Sequence, residues 1–183
     1  HICEDKKKGE LNIRFAAVKD EINFSLDTSG DGLHKRGYRP LTHMAPIRET
    51  LAAAILDYLF FLRNLKQGEV LFDPVCGSGT FLIEGAMMAS GLAPGLMRRF
   101  SGESLGLVGV KAFKQEREYA ESKKKQSSDK DKICFGSDIS AKIIEDAKNN
   151  ARRAGVESMI DFRTADLLQI TYEDIISLSP RAL

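Results

Sequence analysis

The sequence predicts an α/β protein with a doubly wound parallel sheet that is incomplete within the chain and is preceded by a β-hairpin. Three apolar segments, 69–73, 133–138 and 159–166, each end in an aspartate and alternate with segments of helical periodicity. This order favours parallel strands joined by helical crossovers. A glycine-rich turn follows the first strand, as at the ligand crevice of such sheets. We expect the segment 179–183 to lead into a fourth strand.

The N-terminal region predicts the hairpin. Apolar and polar residues alternate in two short runs, whose apolar members are Leu11, Ile13, Phe15, Ile22, Phe24 and Leu26. This alternation indicates two strands, and the polar residues 19–21 between them indicate a turn. Residues 28–39, with three glycines among polar side chains, are typical of a linker. We therefore place a domain boundary after residue 38, which divides the chain into residues 1–38 and 39–183.

Helical spacing marks three further segments. The first begins near Pro46 and should cover the sheet with the apolar face Ile47, Leu51, Ile55, Tyr58, Leu59 and Leu62. The second, 81–89, is apolar nearly all round and should be buried, with Gly91 ending it. The third follows Ser140, a candidate N-cap, and stops at Gly155.

A charge-rich insertion, residues 93–132, separates the first two strands of the predicted sheet. It ends in a lysine-rich run that begins at Lys123. We interpret this run as a solvated helix end in preference to a nucleic-acid contact.

Composition excludes several classes of protein. With 183 residues, 43% of them hydrophobic, the chain is long enough for one globular domain with a core. A formal net charge of +1 gives no global signal for nucleic acid, so affinity for RNA must come from local patches. Three cysteines without Cys-x-x-Cys spacing indicate neither disulfides nor a metal site, which favours the cytoplasm. No apolar run approaches the roughly 20 residues that span a membrane.

The turn Glu69-Val-Leu-Phe-Asp-Pro-Val-Cys-Gly-Ser-Gly-Thr80 indicates the kind of ligand that it accepts. A dinucleotide fingerprint needs a third glycine where Leu82 stands, and a phosphate loop needs Gly-Lys-Ser/Thr, which is absent. Asp73 would add negative charge where a pyrophosphate lies, whereas it suits an amine-bearing ligand. The sequence therefore predicts a small cationic ligand at the strand ends, close to Gly77 and Gly79.

Several segments resemble one family of enzymes. They are Leu26-Asp-Thr-Ser-Gly-Asp-Gly-Leu-His-Lys-Arg-Gly-Tyr-Arg39, Ala45-Pro-Ile-Arg-Glu-Thr-Leu-Ala-Ala-Ala54, Asp73-Pro-Val-Cys-Gly-Ser-Gly-Thr80, Ile83-Glu-Gly-Ala86 and Ala93-Pro-Gly-Leu96. Together they resemble the THUMP-associated, UPF0020-like RNA guanine-N2 methyltransferases, which use S-adenosylmethionine. The turn alone is typical of amino-directed methyltransferases, and the segment 33–39 makes the resemblance specific.

The resemblance implies a Rossmann-like S-adenosylmethionine-dependent methyltransferase fold behind a hairpin from the THUMP-side module. It also implies the parts of the cofactor site. Asp73 and the turn would receive the amino acid moiety, Asp138 the ribose hydroxyls and Asp166 the adenine amino group. The implied cofactor-binding residues are Asp73, Pro74, Cys76, Gly77, Gly79, Thr80, Asp138, Ile139, Asp166 and Leu167, with Ile139 and Leu167 flanking the adenine ring.

These residues also have simpler interpretations. A single strand-end aspartate is as readily a helix cap or a surface charge, although three in register with a glycine turn are harder to explain in that way. Cys76 could be a nucleophile, but a small residue packed in the turn is favoured because no partnered base lies near it in sequence. His34 and His43 are assigned no chemistry.

Lys35, Arg36 and Arg39 are the predicted RNA-binding residues, because their cationic groups can contact phosphates while Tyr38 stacks on a base. A solvated loop is the competing interpretation. By resemblance, the favoured target is the N2 amino group of a guanine in 23S rRNA. The alternatives are the same reaction on tRNA and a non-catalytic module that binds nucleotide or RNA.

Amino-directed members of this family carry an Asn/Asp-Pro-Pro-Tyr motif after the fourth strand, which holds the target amino group and stacks the extruded base. No such tetrapeptide occurs between His1 and Leu183. We therefore expect the chain to stop before this motif and to hold a cofactor half-site without a catalytic residue. Expressed alone, it should be inactive.

Overall fold

The computed structural model describes residues 12–39, 46–59, 70–104, 109–124 and 132–178. Within these ranges the chain forms a two-stranded antiparallel sheet and a three-stranded parallel sheet with helices. The prediction of an α/β fold preceded by a hairpin is confirmed. Some features predicted from the sequence lie outside the described residues, namely Leu11, His43, Leu62, Lys125 and the approach to a fourth strand at 179–183.

The hairpin consists of β1 (Asn12–Val18) and β2 (Glu21–Asp27), paired antiparallel as predicted. Its two-residue turn, 19–20, has φ values of 49° and 63°, the backbone of a type I′ turn that matches the twist of paired strands. Phe15 lies opposite Phe24 in the register, and the two side chains are 76% and 75% exposed. The apolar face of the hairpin is therefore open to solvent in this structure.

The second sheet is parallel, with the strand order β3 (Leu71–Asp73), β4 (Cys134–Asp138) and β5 (Ile160–Thr164). The register pairs Asp73 with Gly136, and β5 continues alongside β4. The three predicted strands are neighbours in space. Their carboxyl ends therefore meet at one edge of the sheet.

The first helix, α1 (Glu49–Tyr58), packs against the helix that follows the glycine turn, α2 (Thr80–Ala89). Its buried residues are Glu49, Ala52 and Leu56. The face predicted to be buried is instead largely exposed, at Leu51, Ile55, Tyr58 and Leu59. The prediction was wrong because α1 meets a second helix, where short side chains such as that of Ala52 allow the closer approach.

Helix α2 is buried nearly all round, as predicted. It ends where expected because Gly91 takes a positive φ of 65° and the Leu92 N–H donates to the Met87 carbonyl. At Gly85 an added Cβ would lie 2.7 Å from Leu71 Cδ2, so the helix packs closely on β3.

The insertion 93–132 contains a 3₁₀ turn, Ser101–Ser104, and the helix α3 (Val110–Ser122). None of the residues of α3 is buried. The lysines at 123–124 follow it and are exposed, as expected of a solvated helix end.

Helix α4 (Ala141–Ala154) packs against β4 and β5. Ser140 accepts a hydrogen bond from the Ile143 N–H at 3.4 Å, and Gly155 ends the helix with a φ of 71°. Both helix boundaries were predicted. The short helix α5 (Tyr172–Ser177) follows β5.

The core lies between one face of the parallel sheet and the helices α2 and α4. Strand residues such as Cys134, Ile160 and Phe162 meet the helix residues Leu82 and Ala147 there. The opposite face of the sheet borders a cavity of about 300 Å³ beside α5. No helix in the described ranges has the length and apolar character of a membrane span.

Residues 28–39, which we expected to form a linker, make hydrogen bonds with the α/β unit. Tyr38 is 1% exposed, and Arg98 donates hydrogen bonds to the carbonyl oxygens of Ser29 and Gly32 at 3.0 and 2.9 Å. The segment therefore has a defined conformation. The domain boundary after residue 38 stays a prediction.

Candidate functional site

The predicted glycine turn joins β3 to α2. Gly77 and Gly79 have positive φ values of 52° and 79°, a conformation that favours glycine. Gly79 is the N-cap of α2 and provides no side chain to bond the first backbone N–H groups of the helix. Those groups can therefore serve an anionic part of a ligand.

The two glycines of the turn have different surroundings. A Cβ at Gly79 would lie 3.1 Å from Phe162 Cζ and 3.3 Å from Ala147 Cβ, on the side of the core. A Cβ at Gly77 would meet nothing within 4 Å. A side chain at Gly79 would thus crowd the core, whereas Gly77 borders open space.

The structure brings the three predicted aspartates to the same edge of the sheet. Asp73 ends β3 and Asp138 ends β4, whereas Asp166 lies two residues beyond the end of β5. Each carboxylate accepts the backbone N–H two residues further on, from Val75, Ser140 and Leu168, at 3.2, 3.0 and 3.0 Å. The helix-cap interpretation therefore holds for Asp166, the N-cap of the 3₁₀ turn Leu167–Gln169. Asp73 and Asp138 instead bond the turns after their strands, because the N-caps of α2 and α4 are Gly79 and Ser140. A carboxylate has about four lone-pair sites, so these backbone hydrogen bonds leave room for a ligand.

Asp138 also holds the glycine turn in place. Its Oδ2 accepts the Gly77 N–H at 3.2 Å. The neighbouring Ser137 carbonyl accepts the Cys76 N–H at 2.8 Å, and the Ser137 hydroxyl donates to the Pro74 carbonyl at 3.0 Å. The end of β4 therefore fixes the turn through three hydrogen bonds.

The electrostatics of this edge favour a cation. Burial raises the pKa of Asp73 above its ordinary value, the Val75 N–H opposes the rise, and the negative charge of Asp138 adds to it. A positive ligand group between these carboxylates would relieve their repulsion. Among the described residues, no group of three or more His, Cys, Asp or Glu side chains is placed to hold a metal ion.

Cys76 is a packed residue of the turn. It is 7% exposed, and burial, with the charges of Asp73 and Asp138 adding to it, raises the pKa of its thiol to about 12. A thiolate is therefore strongly disfavoured near neutral pH. The packing interpretation favoured by the sequence is the one that the structure supports.

Two apolar side chains at the same edge are exposed. Ile139 directly follows Asp138 and is 71% exposed, and Leu167 directly follows Asp166 and is 48% exposed. Exposed apolar groups beside hydrogen-bond acceptors suit a ligand with a flat ring and a polar rim. Both predicted ring-flanking positions are accessible.

The three predicted RNA-binding residues are placed differently from one another. Arg36 pairs with Glu84 at 3.5 Å and Arg39 with Glu49 at 3.0 Å, and each arginine side chain is only 12% exposed. Lys35 is 47% exposed and pairs with a neighbouring carboxylate. The two arginines thus neutralise buried glutamates, and in this arrangement their guanidinium groups do not face an external phosphate.

Sequence reasoning missed two buried polar residues in the helices α2 and α4. Asn150 in α4 is 4% exposed and donates its Nδ2 hydrogen to the Ser78 carbonyl at 3.2 Å. Glu84 in α2 is 2% exposed and accepts a hydrogen bond from the Tyr38 hydroxyl at 3.1 Å. The available signal was a polar residue within an apolar helix face, since such residues are buried only with a partner.

Known proteins share this arrangement of strands and helices. Residues 36–180 match the model of the family UPF0020, described as an RMKL-like methyltransferase domain. A possible methylase from Clostridium difficile 630 is 44% identical in sequence, with a TM-score of 0.77 over 90% of this chain and 41% of that one.

Two more solved structures are similar to the chain. One, from Listeria monocytogenes str. 4b F2365, is a predicted N6-adenine-specific DNA methylase, 38% identical with a TM-score of 0.77 over 90% of this chain and 42% of its own. The other, SMU.472, is described as a methyltransferase complexed with SAH, 33% identical with a TM-score of 0.73 over 88% of this chain and 40% of its own. The chain thus spans about two fifths of the length of these proteins.

Proposed function

The chain belongs to the UPF0020 family of RMKL-like methyltransferase domains, and on this basis we propose that it binds S-adenosylmethionine for methylation of a guanine N2 amino group in 23S rRNA. The observation that carries the proposal is the meeting of the glycine turn with Asp73, Asp138 and Asp166 at one edge of a parallel sheet. SAH in a structure that is 33% identical supports the choice of cofactor.

The residues present fit this cofactor. Asp73 would attract its ammonium group, while the uncapped N-terminus of α2 suits its carboxylate. Asp138 would accept hydrogen bonds from the ribose hydroxyls and Asp166 from the adenine amino group. Ile139 and Leu167 would cover the faces of the adenine ring.

When bound, S-adenosylmethionine supplies a methyl group on a sulfonium centre. Transfer of this group to an amino nitrogen is an in-line displacement, so the protein contributes alignment and electrostatic stabilisation. The described residues provide the alignment of the donor through the glycine turn and Asp138. We assign no catalytic residue to the chain, because the Asn/Asp-Pro-Pro-Tyr motif expected on the acceptor side does not occur in its sequence.

RNA is the proposed substrate because of the resemblance carried by residues 33–39, and tRNA is the alternative RNA. The similarity to an N6-adenine-specific DNA methylase favours a second candidate, methylation of adenine in DNA. Cys76 and Cys134 are both free thiols, which suits the cytoplasmic location that we propose.

Methyl transfer tests both candidates. We would incubate the 183-residue chain, and the full product of its gene, with labelled S-adenosylmethionine and undermethylated 23S rRNA, tRNA or DNA. Digestion to nucleosides should reveal N2-methylguanosine from rRNA with the full gene product and no label with the 183-residue chain. Label in N6-methyladenine of DNA would support the second candidate, and turnover by the 183-residue chain would contradict the assignment of a cofactor half-site.

A further inference from the structure

Arg39 is not among the predicted cofactor-binding residues, but it contacts one of them, Thr80, which directly follows the glycine turn. Its Nη1 donates to Thr80 Oγ1 at 3.1 Å and to the Ile47 carbonyl at 3.4 Å, and its Nη2 pairs with Glu49 Oε1 at 3.0 Å. Thr80 is the first residue of α2, directly after Gly79, and is 3% exposed. One guanidinium therefore connects α1, the segment that precedes it and the N-terminus of α2.

The ion pair with the buried carboxylate of Glu49 holds Arg39 in place. The side chain of Glu49 is 4% exposed, and its Oε2 has no hydrogen-bond partner among the described residues. A buried carboxylate that loses its counter-ion is strongly unfavourable. The planar guanidinium can serve Glu49 and Thr80 together, whereas a lysine ammonium lacks this fork.

Neighbouring residues attach the same segment to α2 one turn further along. The Tyr38 hydroxyl donates to Glu84 Oε1 at 3.1 Å, and Arg36 Nη2 donates to Glu84 Oε2 at 3.5 Å. Burial raises the pKa of Tyr38, and the charge of Glu84 adds to the rise, so the hydroxyl keeps the proton that it donates. Residues 36–39 are therefore fixed to two successive turns of α2.

We propose that Arg39 is a positioning residue for the cofactor site, which holds Thr80 and thereby the N-terminal turn of α2. The inference rests on the proposed function, because it concerns the binding of S-adenosylmethionine. Arg39 acts through Thr80, whose Oγ1 also lies 3.2 Å from the Ser78 Oγ within the turn. Its loss should loosen the backbone of Gly77 and Gly79 and weaken cofactor binding in a folded protein.

The test is a calorimetric titration of the chain with SAH, below the unfolding temperature of each variant. Arg39→Gln and Arg39→Lys should each weaken binding about tenfold, since each removes a hydrogen bond made by a charged group. Arg98→Lys is the matched control, because Arg98 is a buried arginine that bonds the carbonyls of Ser29 and Gly32 at the other end of the same segment. Its affinity should stay within about twofold of the unsubstituted chain.

A double-mutant cycle separates positioning from a general loss of stability. Arg39→Gln and Thr80→Val remove the same contact from its two sides, so the double variant should bind SAH no more than about twofold worse than the weaker single variant. Independent effects that multiply to about a hundredfold would contradict the proposal. So would an equal loss of affinity in Arg98→Lys and Arg39→Lys.

The outcomes distinguish this inference from the proposed function. If the unsubstituted chain does not bind SAH, both are overturned. If it binds SAH and Arg39→Lys leaves the affinity unchanged, only the positioning role is overturned. Should Arg39→Gln fail to fold, Arg39→Lys retains a positive charge opposite Glu49 and completes the test.

Discussion

At the scale of single residues, Asp138 shows how one carboxylate can serve the fold and the ligand together. Its Oδ1 accepts the Ser140 N–H at 3.0 Å and its Oδ2 the Gly77 N–H at 3.2 Å. These bonds order the start of α4 and the glycine turn. The remaining lone pairs can accept hydrogen bonds from the two hydroxyls of a ribose, so holding the backbone and binding the ligand are compatible roles.

Replacing Asp138 should therefore weaken cofactor binding. Asp138→Ala removes charge-assisted hydrogen bonds worth about 1.5–3 kcal/mol, which corresponds to a roughly tenfold to hundredfold loss of SAH affinity by calorimetry. Asp146→Ala, on the exposed side of α4, is the control and should bind as the unsubstituted chain does. A loss below about threefold in a folded Asp138→Ala variant would mean that the carboxylate serves only to hold the backbone of the turn.

The charged carboxylate of Asp73 should stabilise the complex with the ligand and lower the stability of the free protein. Burial raises the pKa of folded Asp73, so its contribution to stability is fully present below pH 3.8, the ordinary pKa of an aspartate, and is lost as the pH rises through the raised value. Asp73→Asn, which stays neutral, should therefore raise the unfolding temperature of the free protein at neutral pH by on the order of 2 °C.

The gain from Asp73→Asn should disappear below pH 3.8, where the natural carboxyl is also neutral. The same variant should bind SAH more weakly, because the ammonium loses its counter-charge. Thermal unfolding at the two pH values, with and without SAH, measures both effects. A lower unfolding temperature for free Asp73→Asn at neutral pH would contradict this account.

The sequence sufficed to predict those site residues that form a recognisable pattern with the residues adjacent to them in the chain. Asp73 and Asp138 stand out because each closes an apolar run, and Gly77 because it belongs to a compact turn motif. Asn150 could not be found in this way, and Arg39 was predicted only as an RNA-binding residue. Their partners, Ser78 and Thr80, lie 72 and 41 residues away along the chain, so only the folded structure brings these groups together.

At the scale of elements, local signals predicted helix ends better than helix faces. Ser140 and Gly155 bound α4 as expected, because capping bonds and positive φ values depend on adjacent residues. The prediction of the buried face of α1 was wrong, since the face that a helix buries depends on which element packs against it. Leu51 is 52% exposed, while Ala52 faces α2 and is 0% exposed.

The two glycines of the turn border different surroundings. Gly79 faces the core, and Gly77 faces the space proposed for the ligand. Gly79→Ala should lower the free energy of unfolding by about 2–4 kcal/mol, because it combines a left-handed conformation with overpacking against Phe162 and Ala147. Gly77→Ala should cost about 1–2 kcal/mol, since its Cβ meets open space and only the conformation is strained.

Urea unfolding of both glycine variants checks the difference, and calorimetry with SAH complements it. Gly77→Ala should retain its fold and lose affinity, because the new methyl group borders the space proposed for the ligand. Equal losses of stability in the two variants would contradict the distinction between the glycines.

At the scale of the whole molecule, residues 28–39 connect an exposed hairpin to the packed α/β unit. On one side lies the hairpin, whose Phe15 and Phe24 are exposed, and on the other the packed α/β unit that carries the proposed site. Arg98 and Arg39 attach opposite ends of this segment to the α/β unit. Cofactor binding at the sheet edge should accordingly leave the hairpin unchanged.

The proposed position of the ligand can be tested by titrating the chain with SAH and recording its amide ¹H–¹⁵N spectrum. The largest shifts should occur at Gly77, Gly79, Ile139 and Leu167, with the hairpin resonances unmoved. Shifts centred on the cavity beside α5, at residues such as Ile175, would contradict the account. So would a spectrum that does not respond to SAH.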